Sequence, residues 1–258
     1  MTTHADVNKI VVRRRGRGPE VVLVHGGASP ETTWAGLEPL QARWTLVYVY
    51  RRGYPPSPPP PGRRQDFEVD AADLGPLLDH RPHLVVHSYG GLGGTLAACA
   101  RPDRVRSLTL IEPPLYQVAP DDPAVMRLRE LGDAFLTQGL EANRAMLTEF
   151  LAIAGVDVPE SGPLPEALVH GVVRAHHSRL PSEARPALDR LRAAGVPILS
   201  VSGGHAAGLE RIADGLARVL DAERVVAPGA GHFVAAAPGF AARLERFLLA
   251  AERRAYPR

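Results

Sequence analysis

The stretch Val86-His87-Ser88-Tyr89-Gly90 decides the fold, because it places a serine directly after the apolar run that begins at His83. The run predicts a strand, and the glycines after Ser88 predict a sharp turn into a helix. Such a turn exposes the serine hydroxyl at the edge of a parallel sheet and leaves the next backbone N–H free to bind an oxyanion. The motif departs from G-x-S-x-G at Val86. Ser88 is therefore a candidate nucleophile, and a turn serine bonded to the local backbone is the alternative.

Apolar runs alternate with amphipathic stretches on both sides of Ser88. This alternation predicts an α/β fold with a mostly parallel central sheet and helices on both faces. The predicted strands are 21–24, 46–50, 83–86, 107–111, 197–201 and 224–226. The predicted helices are 31–42, 67–79, 89–100, 209–220 and 240–252. Residues 55–61 are rich in proline, which lacks the N–H of a helix or ladder, so they predict a stiff surface connection, with a polyproline ligand as the alternative.

The alternation stops after residue 114 and resumes near residue 196. Between these points the sequence predicts helices at 124–137, 140–153, 166–177 and 183–194, without a strand. Ligands of an open α/β sheet bind beyond the carboxyl ends of the strands, so an insertion that leaves from that edge can cover the site. We therefore predict a core domain formed by residues 1–114 and 196–258, and a helical lid formed by residues 115–195.

The composition excludes several classes of protein. The chain has 258 residues, of which 45% are hydrophobic, and this is enough for one large core. The formal net charge is only +2, which gives no reason to expect nucleic acid, and the arginines at 13–15 and 51–52 are interpreted as solvated surface. Cys99 is the single cysteine and lies in an apolar run, which predicts a buried residue without a disulfide.

Targeting and cofactor signals are also missing from the sequence. The first residues are polar and no apolar stretch reaches about 18 residues, so neither a signal peptide nor a membrane span is expected. No glycine-rich phosphate loop occurs in the required context, and His176 and His177, adjacent on a helix, would point about 100° apart, which disfavours a shared metal. We expect a cytoplasmic protein that acts on a small molecule without cofactor or metal. The sequence leaves open whether the protein forms a homodimer.

Four segments, in this order along the chain, resemble the α/β-hydrolase superfamily. His25-Gly26-Gly27, followed by Trp34, resembles the H-G loop of the family, and residues 51–57 resemble its D-x-R-G-x-G-x-S segment. Residues 87–91 resemble the nucleophile elbow, and residues 229–233 resemble the segment that carries the catalytic histidine. The resemblance runs from Val21 to Leu248. It implies the α/β-hydrolase fold, in the branch that has a serine nucleophile and a helical lid.

The resemblance also implies a catalytic triad. Ser88 would be the nucleophile, and His232 the base that accepts its proton. In most of the family an aspartate follows the strand that corresponds to 197–201, but residues 202–208 hold no carboxylate. Some members carry the acid one strand earlier, where Glu112 is found here. We assign Glu112 as the acid, with a role in capping nearby backbone N–H groups as the alternative.

The oxyanion donors and the pocket follow from the same segments. The backbone N–H groups of Gly27 and Tyr89 are the predicted donors, with Ala28 as the alternative to Gly27. His25 and His87 are expected to hold loops by side-chain hydrogen bonds. The predicted substrate-binding residues are Ala28, Trp34, Phe135, Met146, Phe150, His205 and Phe233. For His205 a surface role is the alternative.

These residues predict a serine hydrolase that acts by acyl transfer on an ester, lactone or thioester of a small, mainly apolar molecule. A serine in place of aspartate argues against the epoxide hydrolase and haloalkane dehalogenase branches of the fold. Two alternatives stay open because the usual aspartate is missing and the elbow lacks its first glycine. One is a lyase or cyclase of a natural-product pathway that uses Ser88 and His232 for proton transfer. The other is a ligand-binding protein with a degraded site.

Overall fold

The central sheet contains seven strands in the order β1-β3-β2-β4-β5-β6-β7. The structure is a computed structural model that describes residues 9–156, 158–159 and 162–255. The strands are β1 (Val11–Gly16), β2 (Glu20–Val24), β3 (Thr45–Tyr50), β4 (His83–His87), β5 (Ser107–Ile111), β6 (Ile198–Ser202) and β7 (Glu223–Val226). All neighbours pair in parallel except β1, which is antiparallel to β3. The predicted mostly parallel sheet is confirmed, and each predicted strand overlaps one of β2 to β7.

The edge strand β1 is not among the strands that the sequence predicts. Its arginines are exposed, as the interpretation of solvated surface predicts, but the strand that carries them pairs with the whole of β3. The Arg13 guanidinium lies 4.8 Å from the centroid of the Tyr50 ring, and that of Arg15 lies 5.7 Å from the Tyr48 ring. Charged side chains are typical of edge strands because they block pairing with a further chain, and they also hide the strand from a search for apolar runs.

Helices cover both faces of the sheet. The helices of the core are α1 (Pro30–Thr33), α2 (Phe67–Leu74), α3 (Gly90–Ala100), α8 (Ala207–Leu220) and α9 (Phe240–Ala255). Because side chains alternate along a strand, Val22 and Val24 pack against the layer of α2, α3 and α8, whereas Val21 and Leu23 pack against the layer of α9. Cys99 is buried in the first of these layers, as predicted.

Two predicted helices of the core are shorter than expected. The helix predicted at 31–42 ends at Thr33 and is followed, after Gly36 at φ +95°, by a 3-10 turn over Glu38–Ala42. A positive φ is incompatible with a right-handed helix, so Gly36 separates the two pieces. The helix predicted at 67–79 ends at Leu74 and continues as a 3-10 turn over Gly75–His80, which has a proline near its start.

The segment between β5 and β6 contributes four helices: α4 (Pro123–Gln138), α5 (Arg144–Ile153), α6 (Glu166–Ala175) and α7 (Leu188–Ala193). Its described residues form no strand, as predicted. The helix predicted at 183–194 begins only at Leu188, because Pro186 disfavours helical backbone at the residue before it. The helix predicted at 140–153 begins at Arg144, where the Asn143 side chain caps it. Helix α4 packs closely on α8, since a Cβ on Gly208 would lie 2.7 Å from the Ala124 carbonyl oxygen. Among the described residues, no helix is both long and apolar enough to cross a membrane.

Candidate active site

Ser88 occupies a strained turn between β4 and α3. Its φ is +52°, a left-handed value that is rare for residues other than glycine and is typical of nucleophile elbows. Its backbone N–H donates to the Ile111 carbonyl oxygen at 2.9 Å, and its own carbonyl accepts from Gly91 N–H at 2.8 Å. These bonds from the next strand and from the helix hold the strained conformation.

The loop after β2 touches the Ser88 turn. A Cβ on Gly26 would lie 2.5 Å from the Ser88 Cβ, and a Cβ on Gly90 would lie 2.1 Å from the His25 carbonyl oxygen. No side chain fits at either position, so glycine allows the two loops to approach one another. The predicted oxyanion donors Gly27 and Tyr89 therefore belong to segments that meet at Ser88, and both residues line the cavity there.

Val86 fits beside the elbow because α3 has glycines at the positions that face it. A Cβ on Gly94 would lie 2.4 Å from the Val86 Cγ1. A Cβ on Gly91 would lie 3.6 Å from its Cγ2. The glycines of α3 thus make room for the valine that replaces the first glycine of the motif.

Glu112 and His232 are in direct contact. The Glu112 Oε2 lies 2.6 Å from the His232 Nδ1, and the Oε1 accepts a 2.7 Å hydrogen bond from the Gly203 N–H. Glu112 follows β5 at φ +47° and its side chain is buried. Gly203 belongs to the loop after β6, where the family usually has its acid. This loop contributes a backbone donor that holds the carboxylate of the preceding strand.

The neighbouring acid Glu210 has a different role. Its carboxylate accepts from the Ser202 hydroxyl at 2.7 Å and from the Gly204 N–H at 2.9 Å, and it pairs with Arg224 at 2.6 Å. These contacts tie the loop after β6 to α8 and to Arg224 of β7. Glu210 is therefore a structural residue of this loop.

His87 supports the backbone of His232. Its Nε2 lies 2.8 Å from the His232 carbonyl oxygen, and because a carbonyl only accepts, the Nε2 carries the proton. The two ring centroids lie 4.4 Å apart. Burial and the nearby His232 lower the pKa of His87 well below its ordinary value, so the ring stays neutral. This is the loop-holding role expected for His87.

A mainly apolar cavity of about 540 Å³ extends from Ser88 beneath the helices of the 115–195 segment. Ser88, Glu112 and His232 lie on its wall together. The apolar lining comes mostly from α4, α5 and α6: Leu128, Phe135, Leu136, Phe150, Leu168 and Val172. The Phe135 and Phe150 rings stack with centroids 4.6 Å apart. The cavity therefore offers an apolar compartment beside the serine.

Four of the predicted substrate-binding residues line this cavity: Ala28, Phe135, Phe150 and Phe233. The other three do not, and the prediction is corrected on this point. Trp34 is buried in the layer of α9, with its ring 6.2 Å from that of His87. Met146 lies one turn before Phe150, and the cavity reaches only the later part of α5. His205 points to Glu112 and to the end of α5, with its Nε2 2.9 Å from the Ile153 carbonyl oxygen.

The cavity also has a polar wall that the sequence does not predict, and this wall includes Arg51, Tyr54, Gln65 and Tyr116. The interpretation of Arg51 as solvated surface is wrong, since this residue is 2% exposed. The available signal was its position directly after the strand 46–50, at the sheet edge where ligands bind.

Three potential metal ligands also meet at this site. One atom each of Glu112, His205 and His232 lies within 4.8 Å of the others, and the His205 Nδ1 lies 3.6 Å from the Glu112 Oε1. A cation bound there would have to compete with the Glu112–His232 hydrogen bond. The arrangement therefore suits a hydrogen-bonded pair, in which the carboxylate orients the His232 ring, better than a permanent ion.

The architecture and this site define a class of enzyme fold. A family model described as "Alpha/beta hydrolase family" matches residues 21–244. The chain belongs to the alpha/beta hydrolase family.

Curated relatives include esterases. A pimeloyl-acyl-carrier protein methyl ester esterase of Methylococcus capsulatus is 31% identical over 186 residues, which cover 69% of this chain and 68% of the relative. The same enzyme of Aeromonas salmonicida is 30% identical over 118 residues, and this match spans 46% of its length and 45% of this chain. A fluoroacetate dehalogenase of a Burkholderia species is 35% identical over 106 residues, which cover 38% of this chain and 35% of the relative.

Solved structures share the fold over nearly the whole chain. A carboxylesterase structure from Nitrososphaera gargenis superposes with a TM-score of 0.67 at 17% identity, covering 97% of this chain and 98% of that one. A thermophilic esterase from Thermogutta terrifontis gives a TM-score of 0.62 at 23% identity, covering 95% and 92%. At these identities the likeness establishes the fold.

Proposed function

We propose that this hydrolase is a serine esterase that cleaves an ester, lactone or thioester of a small, mainly apolar acyl group. The observation that carries the proposal is the 2.6 Å contact between Glu112 and His232 on the wall of the cavity that exposes Ser88. A carboxylate that accepts the Nδ1–H of a histidine leaves the Nε2 of that histidine free to accept a proton from a serine.

The reaction follows from these groups. The Ser88 Oγ attacks the carbonyl carbon while His232 takes the hydroxyl proton, and the C=O electron pair becomes an oxyanion. Backbone N–H groups of Gly27 and Tyr89 stabilise that charge. Collapse of the tetrahedral intermediate expels the alcohol or thiol, which receives the proton from His232. Water then attacks the acyl-enzyme by the same route and regenerates Ser88.

The substrate class rests on the cavity and on the relatives. An apolar compartment stabilises an acyl chain by removing it from water. Esterases among the curated relatives support cleavage of a carboxylic ester. We propose that the acyl chain extends between α4, α5 and α6, and that residues 115–195 act as the lid over it.

Fluorophosphonate labelling and p-nitrophenyl ester hydrolysis test this proposal. We expect the wild type to bind the probe and release p-nitrophenol, and Ser88→Ala to lose both, with turnover reduced by about 10³-fold or more. The matched control is Ser178→Ala, because Ser178 is also a buried serine on the cavity wall. This variant should still bind the probe.

A folded wild type that neither binds the probe nor hydrolyses any ester of the series would refute acyl transfer. Labelling that persists in Ser88→Ala would refute the assignment of the nucleophile. A non-hydrolytic lyase or cyclase would hydrolyse no ester even where its activated serine reacts with the probe, so ester turnover is the measurement that separates it from the esterase.

A further inference from the structure

A buried ion pair adjoins the proposed oxyanion hole. Arg51 directly follows β3, and Asp70 lies in α2. The Nε and Nη2 of Arg51 both donate to the Asp70 Oδ2, at 2.9 and 2.7 Å, and both side chains are almost fully buried. Burial alone would lower the pKa of Arg51, but the Asp70 carboxylate raises it above the ordinary value, so the guanidinium stays charged.

Stability alone does not explain this pair. Two buried charges lose their hydration, and apolar residues of similar volume are often as stabilising or more so. The pair also lies beside the candidate active site, since Arg51 is part of the cavity wall. The remaining contacts of the guanidinium therefore bear on its role.

The Arg51 guanidinium binds the carbonyl of the loop that touches Ser88. Its Nη1 donates to the Gly26 carbonyl oxygen at 3.0 Å. The His25 Nδ1 lies 3.0 Å from the same oxygen. The His25 Nε2 accepts the Arg51 backbone N–H at 3.1 Å, so the Nδ1 carries the proton and donates. The Gly26 carbonyl thus has two donors, one of them a cation.

These two donors fix the orientation of the Gly26–Gly27 peptide. In a trans peptide the C=O and N–H point in opposite directions, so the Gly27 N–H points away from Arg51. A Cβ on Gly27 would meet no atom within 4 Å, and Gly27 lines the cavity. The Tyr54 hydroxyl holds the next carbonyl, that of Gly27, at 3.0 Å.

We propose that Arg51 is a positioning residue of the oxyanion hole: it fixes and polarises the Gly26–Gly27 peptide through its carbonyl, and the Gly27 N–H binds the oxyanion. This inference rests on the proposed acyl-transfer function. A hydrogen bond from a cation to a carbonyl draws electrons from the peptide and strengthens its N–H as a donor, since hydrogen bonds in a chain polarise one another. Asp70 holds the guanidinium in place and balances its charge.

An ester and a matching thionoester measured on the same variants test the inference. The oxyanion of an ester needs strong N–H donors, whereas the sulfur anion of a thionoester is a weaker acceptor. We expect Arg51→Met to lower kcat on the ester by about 10- to 100-fold and to change KM by less than about threefold. The loss in kcat should be smaller than the 10²- to 10³-fold typical of removing a whole oxyanion donor, because the Gly27 N–H remains. The kcat of Arg51→Met on the thionoester should fall much less. Arg51→Lys, which keeps a cation, should lie between Arg51→Met and the wild type.

The matched control is Arg52→Met, which removes the adjacent arginine and its 2.7 Å pair with Asp73. We expect it to keep the ester-to-thionoester ratio of the wild type. Should Arg51→Met fail to fold, Arg51→Met/Asp70→Leu removes the pair without leaving an unpaired buried charge and should show the same selective loss.

Two groups of results separate failure of the inference from failure of the function. An active wild type with unchanged kcat in Arg51→Met overturns the inference alone. Equal losses on ester and thionoester, or an equal loss in Arg52→Met, also overturn it, because they indicate a purely structural role. A folded wild type that hydrolyses no ester overturns the proposed function and this inference with it.

Discussion

The His232 Nδ1 lies 2.6 Å from the Glu112 Oε2, although the two residues are 120 positions apart. Glu112 extends from the end of β5, one strand before the place where the family usually has its acid. It reaches the histidine because parallel strands end at one edge of the sheet. The Gly203 N–H, from the usual place of the acid, holds its second oxygen. The acid and the histidine thus keep the contact typical of the family, although the acid extends from β5 and not from β6.

Glu112→Gln should lower kcat by about 10³- to 10⁴-fold, because a neutral amide neither fixes the His232 tautomer nor stabilises its charged form. Steady-state hydrolysis of a p-nitrophenyl ester measures this loss. Glu210→Gln is the matched control, since it makes the same change in the first acid after β6, which bonds to Arg224 and the Ser202 hydroxyl. If Glu112→Gln keeps near-full activity, or if Glu210→Gln loses as much, Glu112 is not the acid.

The sheet and the placement of the site were predictable because they depend on local signals. β-branched runs such as 21–24 mark buried strands, and residues that directly follow such runs, Glu112 among them, meet at one edge of the sheet. The role of Glu112 as the acid is instead implied by the resemblance to the family. The burial of Arg51 was not predictable in this way. It depends on Asp70, which approaches only when α2 packs against the sheet. The resemblance predicts that Trp34 lines the pocket, but in the structure this residue directly follows the short α1 and is buried in the layer of α9.

The contact between Val86 and Gly94 predicts a specific incompatibility. Gly94→Ala would place a Cβ 2.4 Å from the Val86 Cγ1, both on rigid backbone, and should lower the free energy of unfolding by about 1 to 3 kcal/mol. Adding Val86→Ala should recover part of that loss, so that the double variant is less destabilised than the sum of the single ones. Urea unfolding measures the free energy of unfolding of Gly94→Ala, of Val86→Ala and of the double variant. Gly171→Ala is the control, because a Cβ there meets open space. Strict additivity would contradict the contact.

Buried neutral histidines predict a loss of stability in acid. Burial, assisted by the charge of Arg51, lowers the pKa of His25 from 6.5 to about 3. The unfolded chain therefore binds a proton below pH 6.5 that the folded protein does not bind until about pH 3. The free energy of unfolding should fall with decreasing pH across this window, by about 1.4 kcal/mol per pH unit for one such group.

His25→Asn should flatten this dependence. Urea unfolding of the wild type and of the variant at pH 4, 5, 6 and 7 gives the two slopes. We expect the variant to be less stable at pH 7, because the Arg51 backbone N–H and the Gly26 carbonyl lose a partner, and to have a slope smaller by about one proton. Parallel pH curves would contradict the buried neutral state of His25.

The apolar cavity predicts a preference in acyl length that one substitution should change. Gly171 lies in α6 on the cavity wall, and a Cβ there would meet no atom within 4 Å. Gly171→Leu should therefore extend a side chain from the wall into the compartment and fill part of it. It should lower kcat/KM for p-nitrophenyl octanoate relative to the acetate by about 10-fold, the scale on which apolar pockets discriminate by methylene groups. Val173→Leu is the matched control, because Val173 is 59% exposed on the same helix. An unchanged octanoate-to-acetate ratio in Gly171→Leu would show that the acyl chain does not run between α4, α5 and α6.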